Sequence, residues 1–192
     1  GQVGEEAEAL YSQITGSFEF IPVEKDKPLV AGPECPVQVE ASLLYTNEVA
    51  GYCVLLPADY QVLEISTEAD NNEMAFYLDS LQDVTHPRLW IKVTDAKGAS
   101  LEDVTLAHEA EIEKGFDGYD VIWSFGYMLD GVFANQFDQV PGQDLSRQVI
   151  LVYNDQIYLL TFTPDDPEAG DVYDEMGIMY EMVMDSFSFL QN

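Results

Sequence analysis

Two stretches of the chain alternate apolar and polar residues around a turn signal, and they restrict the fold more than any other feature. "DVIWSFGYMLDGVFANQFDQ" has Asp130-Gly131 at its centre, and "RQVILVYNDQIYLLTFTP" has Asn154-Asp155 at its centre. Such pairs take up the left-handed backbone that a two-residue hairpin needs, so each stretch predicts two antiparallel strands. "PRLWIKVTDA" sets Leu89, Ile91 and Val93 against Trp90, Lys92 and Thr94, the period-two pattern of a half-buried strand. "SLLYTNEVAGYCVLLP" reads as two more strands joined around Asn47 to Gly51, with "QVLEIST" and "EMAFYLD" next along the chain.

The period changes twice. In "SLEDVTLAHEAEIEKG", Ser100 predicts an N-cap and Asp103 completes an acidic capping box, while Leu101, Val104, Ala107, His108 and Ile112 recur at helical spacing. A second helix is predicted from Asp166, Pro167 and Glu168 onward, with Val172, Met176, Met179, Tyr180 and Val183 as its buried stripe. The helices are expected near residues 101–114 and 168–184, and "DSFSFL" as an extended tail. Strands, a helix, four strands and a helix predict an α+β fold: a single antiparallel sheet flanked by helices, an α/β/α sandwich.

Residues 1–42 lack this regularity. "EEAEALYSQI" suits a short helix, but proline and glycine punctuate the rest of the segment, apart from an extended piece near Phe18 to Ile21. The expected organisation is an N-terminal arm over 1–42 and one α+β domain over 43–192.

Charge narrows the partners. Thirty-six acidic residues against seven basic ones give a formal charge of −29, which repels nucleic-acid backbones and anionic lipid surfaces. The acids are dispersed, as on a solvated surface that maintains solubility. No apolar run approaches the ~20 residues of a membrane-spanning helix. The polar start at Gly1 leaves open whether a signal peptide or lipid anchor was removed.

The two cysteines stand apart from any C-x-x-C motif. Cys35 lies between Pro33 and Pro36, and Cys53 lies in an apolar strand. Catalysis by Cys53 would need a histidine brought to it by the fold; a bridge or two free thiols need nothing further. The expectation is a Cys35–Cys53 disulfide stapling the arm to the domain, worth about 3 kcal/mol, and with it an oxidising compartment.

Catalytic chemistry finds little support. The sequence has no Gly-rich phosphate loop, no G-x-S-x-G elbow and no H-x-x-x-H pair. His108 falls on the helical apolar stripe and reads as a core or boundary histidine, and His86, before Pro87, as a turn residue. The acidic turns "EADNNE" and "PDDPEAGD" offer oxygens but not the ligand order of an EF-hand, and read as a solvated turn and a helix cap. Tyr119, Trp123, Phe125, Tyr127 and Phe133 crowd one hairpin; core packing is the expectation, a ligand-facing surface the alternative. No catalytic residue, metal ligand or cofactor is assigned, and the ligand-binding residues stay unknown.

The order of elements, with "YTNEVAGYCVLLPADY", "SRQVILVYNDQIYLLTFTP" and a closing "DSFSF", resembles the PsbP-like proteins over roughly residues 43–190. That resemblance implies a fold shared with a yeast nuclear-import factor that binds the Ran GTPase. It also implies a non-catalytic role in binding or assembly, with no catalytic residue to carry over. Seven cations depart from the basic character that supports docking of photosystem subunits, which favours the branch of bacterial extracytoplasmic lipoproteins. The expected protein is therefore a secreted or lipid-anchored component of the bacterial envelope, not an enzyme. Its partner would be an unknown protein or a small ligand. An enzyme with an unrecognised carboxylate or metal site, and a structural envelope component, are the competing readings.

Overall fold

The computed structural model describes residues 35–116 and 118–190. Most of the expected arm, with its predicted helix and extended piece, lies outside the described residues. The described elements are β1 (Ser42–Asn47), β2 (Tyr52–Pro57), β3 (Gln61–Glu68), β4 (Asn71–Tyr77), β5 (Arg88–Asp95), α1 (Leu101–Gly115) and β6 (Ile122–Leu129). They continue with β7 (Val132–Val140), β8 (Ser146–Tyr153), β9 (Gln156–Thr163), α2 (Asp171–Ser186) and β10 (Ser188–Phe189).

Local chemistry sets the element boundaries. Asp130 and Gly131 have φ of 47° and 77°, Asn154 and Asp155 have 49° and 60°. Positive φ at both central residues is what a tight hairpin between right-twisted strands requires. The Ser100 hydroxyl accepts from the Asp103 N–H while the Asp103 carboxylate accepts from the Ser100 N–H, so the capping box forms. The start of α2 departs from expectation. Asp166 caps a single 3-10 turn, Pro167–Ala169, and Gly170 at φ 67° breaks the chain before the α-helix begins at Asp171.

The expected single sheet is corrected to two. A seven-stranded sheet runs in the order β3-β4-β5-β9-β8-β7-β6, and a three-stranded sheet in the order β1-β2-β10, all pairs antiparallel. The reason lies at β2. Its one edge pairs with β1 and its other edge is taken by β10, returning from the far end of the chain, so β3 has no edge to join.

One face of the large sheet presents Met74, Phe76, Leu89, Ile91, Val93, Val149, Leu151, Leu160 and Phe162 to the main core. Tyr52, Val54 and Leu56 of β2 and Met176, Met179 and Val183 of α2 close it from the other side. Among the described residues the opposite face carries a smaller cluster, in which Val104 and Ile112 of α1 meet Phe137, Val140 and Ile150. The layers are thus α1, the large sheet, then α2 with the small sheet. No helix among the described residues is long and apolar enough to cross a membrane.

Candidate binding site

Among the described residues one helix lies on the face of the large sheet opposite the main core, too narrow to cover seven strands. α1 rests on β7 and β8, where Asn135 Nδ2 donates to Thr105 Oγ1 at 2.8 Å and Val104 and Ile112 pack on Phe137 and Ile150. Beside it, toward β5 and β9, a groove of about 570 Å³ remains. Ile150, Ile157 and Leu159 form its apolar floor, and Val104, Ala107 and His108 of α1 form a wall.

Five polar side chains also line the groove: Lys92, Thr94, Asp103, His108 and Glu111. His108 Nε2 lies 2.6 Å from Gln148 Oε1, and the imidazole sits edge-on to Phe137, with ring centroids 5.1 Å apart. Asp103 is held by Ser100. Bonds to the Ser100 hydroxyl and N–H keep the Asp103 carboxyl below the usual carboxylate range. Among the described residues Lys92 is the one lysine or arginine lining the groove; its side chain is half-exposed and its Nζ lies 3.8 Å from Glu73 Oε2, a loose pairing. The helical stripe predicts a core or boundary position for His108; the structure makes it a half-buried wall of the groove.

On the other side of the large sheet, Arg147, Asp138 and Asp165 meet beneath α2. Arg147 Nε reaches Asp138 Oδ1 and Nη2 reaches Asp165 Oδ1, both at 3.0 Å, and the guanidinium lies over the Tyr180 ring at 4.9 Å. Asp165 is 1% exposed and also accepts the Gln139 N–H at 2.8 Å. Burial pushes its carboxyl above the usual carboxylate range despite those bonds. Burial alone would loosen the Arg147 proton, but the Asp165 and Asp138 carboxylates hold it more tightly than usual. Burial also pushes the Tyr180 hydroxyl up to about 12. The cluster resembles an aromatic cage for a cation, but Arg147 already fills it, so it reads as a structural brace.

The acidic turns do not assemble ligand sets. In "EADNNE", Asn72 is buried and accepts from Asn47 Nδ2 at 2.8 Å. In "PDDPEAGD", Asp165 is spent on Arg147 and Gln139, while Asp166 accepts from the Glu168 N–H. A different group comes together: Asp79, Asp83 and His86 each place one ligand atom within 4.8 Å of the others. The sequence gives no sign of it because the residues sit in a loop, where only the folded backbone brings D-x-x-x-D-x-x-H inward. Asp83 already accepts from the Thr85 N–H and hydroxyl, and Asp79 is largely exposed. Any zinc held there is expected to be lost on dialysis; elemental analysis finding one retained equivalent, absent from His86→Ala, would make the loop a metal centre.

The aromatic hairpin also differs from expectation. Gly126, at φ 90°, sits at a register shift between Phe125 and Tyr127. The resulting bulge sends Tyr127 to the main core, paired with Ala134, and leaves Trp123 and Phe125 on the α1 face, 38% and 80% exposed. Cys35 and Cys53 form a disulfide with Cα atoms 5.7 Å apart.

No family model matches the chain, and no curated protein matches it in sequence. In three dimensions it is similar to the solution structure of cyanobacterial PsbP from Synechocystis sp. PCC 6803, with a TM-score of 0.52 over 82% of this chain and 98% of that one. The fold is PsbP-like. At 13% identity the PsbP likeness concerns the fold alone. It agrees with the resemblance carried by the element order.

Proposed function

We propose that the protein is a non-catalytic binding or accessory module of the bacterial cell envelope, secreted or lipid-anchored, whose ligand seats in the groove between α1 and the large sheet. The groove carries this reading: about 570 Å³ falls within the ~300–1,000 Å³ of small-molecule sites, and its apolar floor is bordered by Lys92 and by the Asp103 and Glu111 carboxylates. The bridge between Cys35 and Cys53 supports an oxidising compartment. The PsbP-like fold supports an accessory role by analogy only. Ile150, Ile157, Leu159 and Val104 offer no side-chain hydrogen bonds, so the ligand is compact and largely apolar, with one acceptor group that meets Lys92 in spite of the Asp103 and Glu111 carboxylates.

Anilinonaphthalene sulfonate has this chemistry, an apolar ring system with one anionic group, and serves as a probe. It is expected to bind saturably with enhanced fluorescence. Ala107→Trp should fill the groove and Lys92→Glu should repel the sulfonate, each weakening binding by roughly tenfold for the loss of a central contact. Equal binding by the wild type and both variants would remove the groove as the site.

A further inference from the structure

We propose that the outer edge of β6 is a docking site for an extended, basic segment of another protein, added to the large sheet as a further strand. β6 ends the seven-stranded sheet, and among the described residues nothing hydrogen-bonds to its outer side. Such an edge is a template for strand addition, which natural sheets blunt with charge. β3, the opposite edge, carries Glu64 and Glu68. β6 reads "IWSFGYML" and carries no charge at all, in a chain whose formal charge is −29.

The side chains along this edge are apolar and open to solvent. Ile122, Trp123, Phe125 and Met128 are 54%, 38%, 80% and 53% exposed, and Phe133, the register partner of Met128, is 64% exposed. The register places Trp123, Phe125, Met128 and Phe133 on the α1 face, through their pairing with Phe137, Asn135 and one another. An added strand would lay every second side chain along this row while its backbone satisfies the free groups of β6. The bulge at Gly126 interrupts the ladder, so regular pairing is expected over Ile122–Phe125 and again over Tyr127–Leu129.

Charge selects the occupant. Exposed Asp120 precedes the strand, half-buried Asp130, which accepts the Phe189 N–H, follows it, and the whole chain is acidic, so lysine or arginine in the incoming segment is attracted. Arginine or lysine over the exposed Trp123 and Phe125 rings adds a cation–π contact. A second copy would bring two bodies of −29 together. Residues 1–34 of this chain hold seven acidic residues against two lysines, so they suit the edge poorly on the same ground.

The proposal is independent of the groove, and one selection tests it. A displayed library of random linear peptides is panned on the full-length protein. The expected winners are basic with alternating apolar positions, and binding them slows amide hydrogen exchange across Ile122–Leu129. Phe125→Lys should weaken their binding by roughly tenfold or more, since it removes an exposed anchor and adds repulsion. Leu63→Lys on the opposite edge, and Ala107→Trp in the groove, should leave binding unchanged. An empty selection, acidic or patternless winners, equal binding by Phe125→Lys, or self-association of the wild type abolished by Phe125→Lys would each overturn it.

Discussion

Replacing Arg147 by methionine is expected to cost about 3–5 kcal/mol of stability at neutral pH, the range for stripping one partner from a buried ion pair. The methionine keeps most of the stem that packs beside Tyr180, so the loss is mainly electrostatic. Asp165, 1% exposed, and Asp138 would face each other without the cation that now bridges them. The pH dependence gives the effect a signature. Burial already raises the Asp165 carboxyl above its unfolded value, so the folded state binds that proton more readily. A raised carboxyl contributes stability below the ordinary carboxylate range, and that contribution is lost as pH rises through the folded pKa. Without Arg147 the folded value moves higher still. The deficit of the variant should therefore be largest at neutral pH and shrink in mild acid, where Asp165 takes up its proton. Urea unfolding across that range would show it; a deficit that is small, or constant with pH, would mean that the brace is not electrostatic.

Removing the disulfide is the second large effect. Cys35→Ala with Cys53→Ala is expected to lose about 3 kcal/mol, the chain-entropy value for a loop of this size. The bridge spans 18 residues and ends on Cys53, which is wholly buried in β2. The segment it closes includes β1, so the variant should expose β1 before the large sheet opens. Hydrogen exchange would register this as lost protection over Ser42–Asn47 with the β8–β9 amides retained. An unchanged unfolding midpoint, or thiols found free in the unreduced wild type, would remove both the effect and its bearing on compartment.

Features decided by neighbours in the chain were legible in the sequence. Asp130-Gly131 and Asn154-Asp155 adopt positive φ because of what they are, and they turn hairpins wherever the strands go. Ser100 and Asp103 cap α1 through bonds three residues long. Leu89, Ile91 and Val93 are buried because alternation puts them on one face, and the disulfide pairs the only two cysteines present.

The candidate sites were less legible, because each depends on residues distant in sequence. His108 and Lys92 line one groove only because β5 pairs with β9 and α1 lies across β8. Strict alternation would put Trp123, Phe125 and Tyr127 on one face; the bulge at Gly126, whose one local signal is a glycine inside a strand, separated an exposed row from a core residue. No local pattern singles out Arg147; only the pairing of β7, β8 and β9 brings Asp138 and Asp165 to it. The sequence by itself determined the turns, the caps, the strand faces and the antiparallel hairpins, since short-range torsional and hydrogen-bond preferences decide those. Tertiary structure alone decided that β10 would claim the free edge of β2 and split the sheet, and that one helix would leave a groove and an uncharged edge beside it. Which strands become neighbours is set by how apolar faces far apart in the chain are best buried together, and no local pattern encodes that choice.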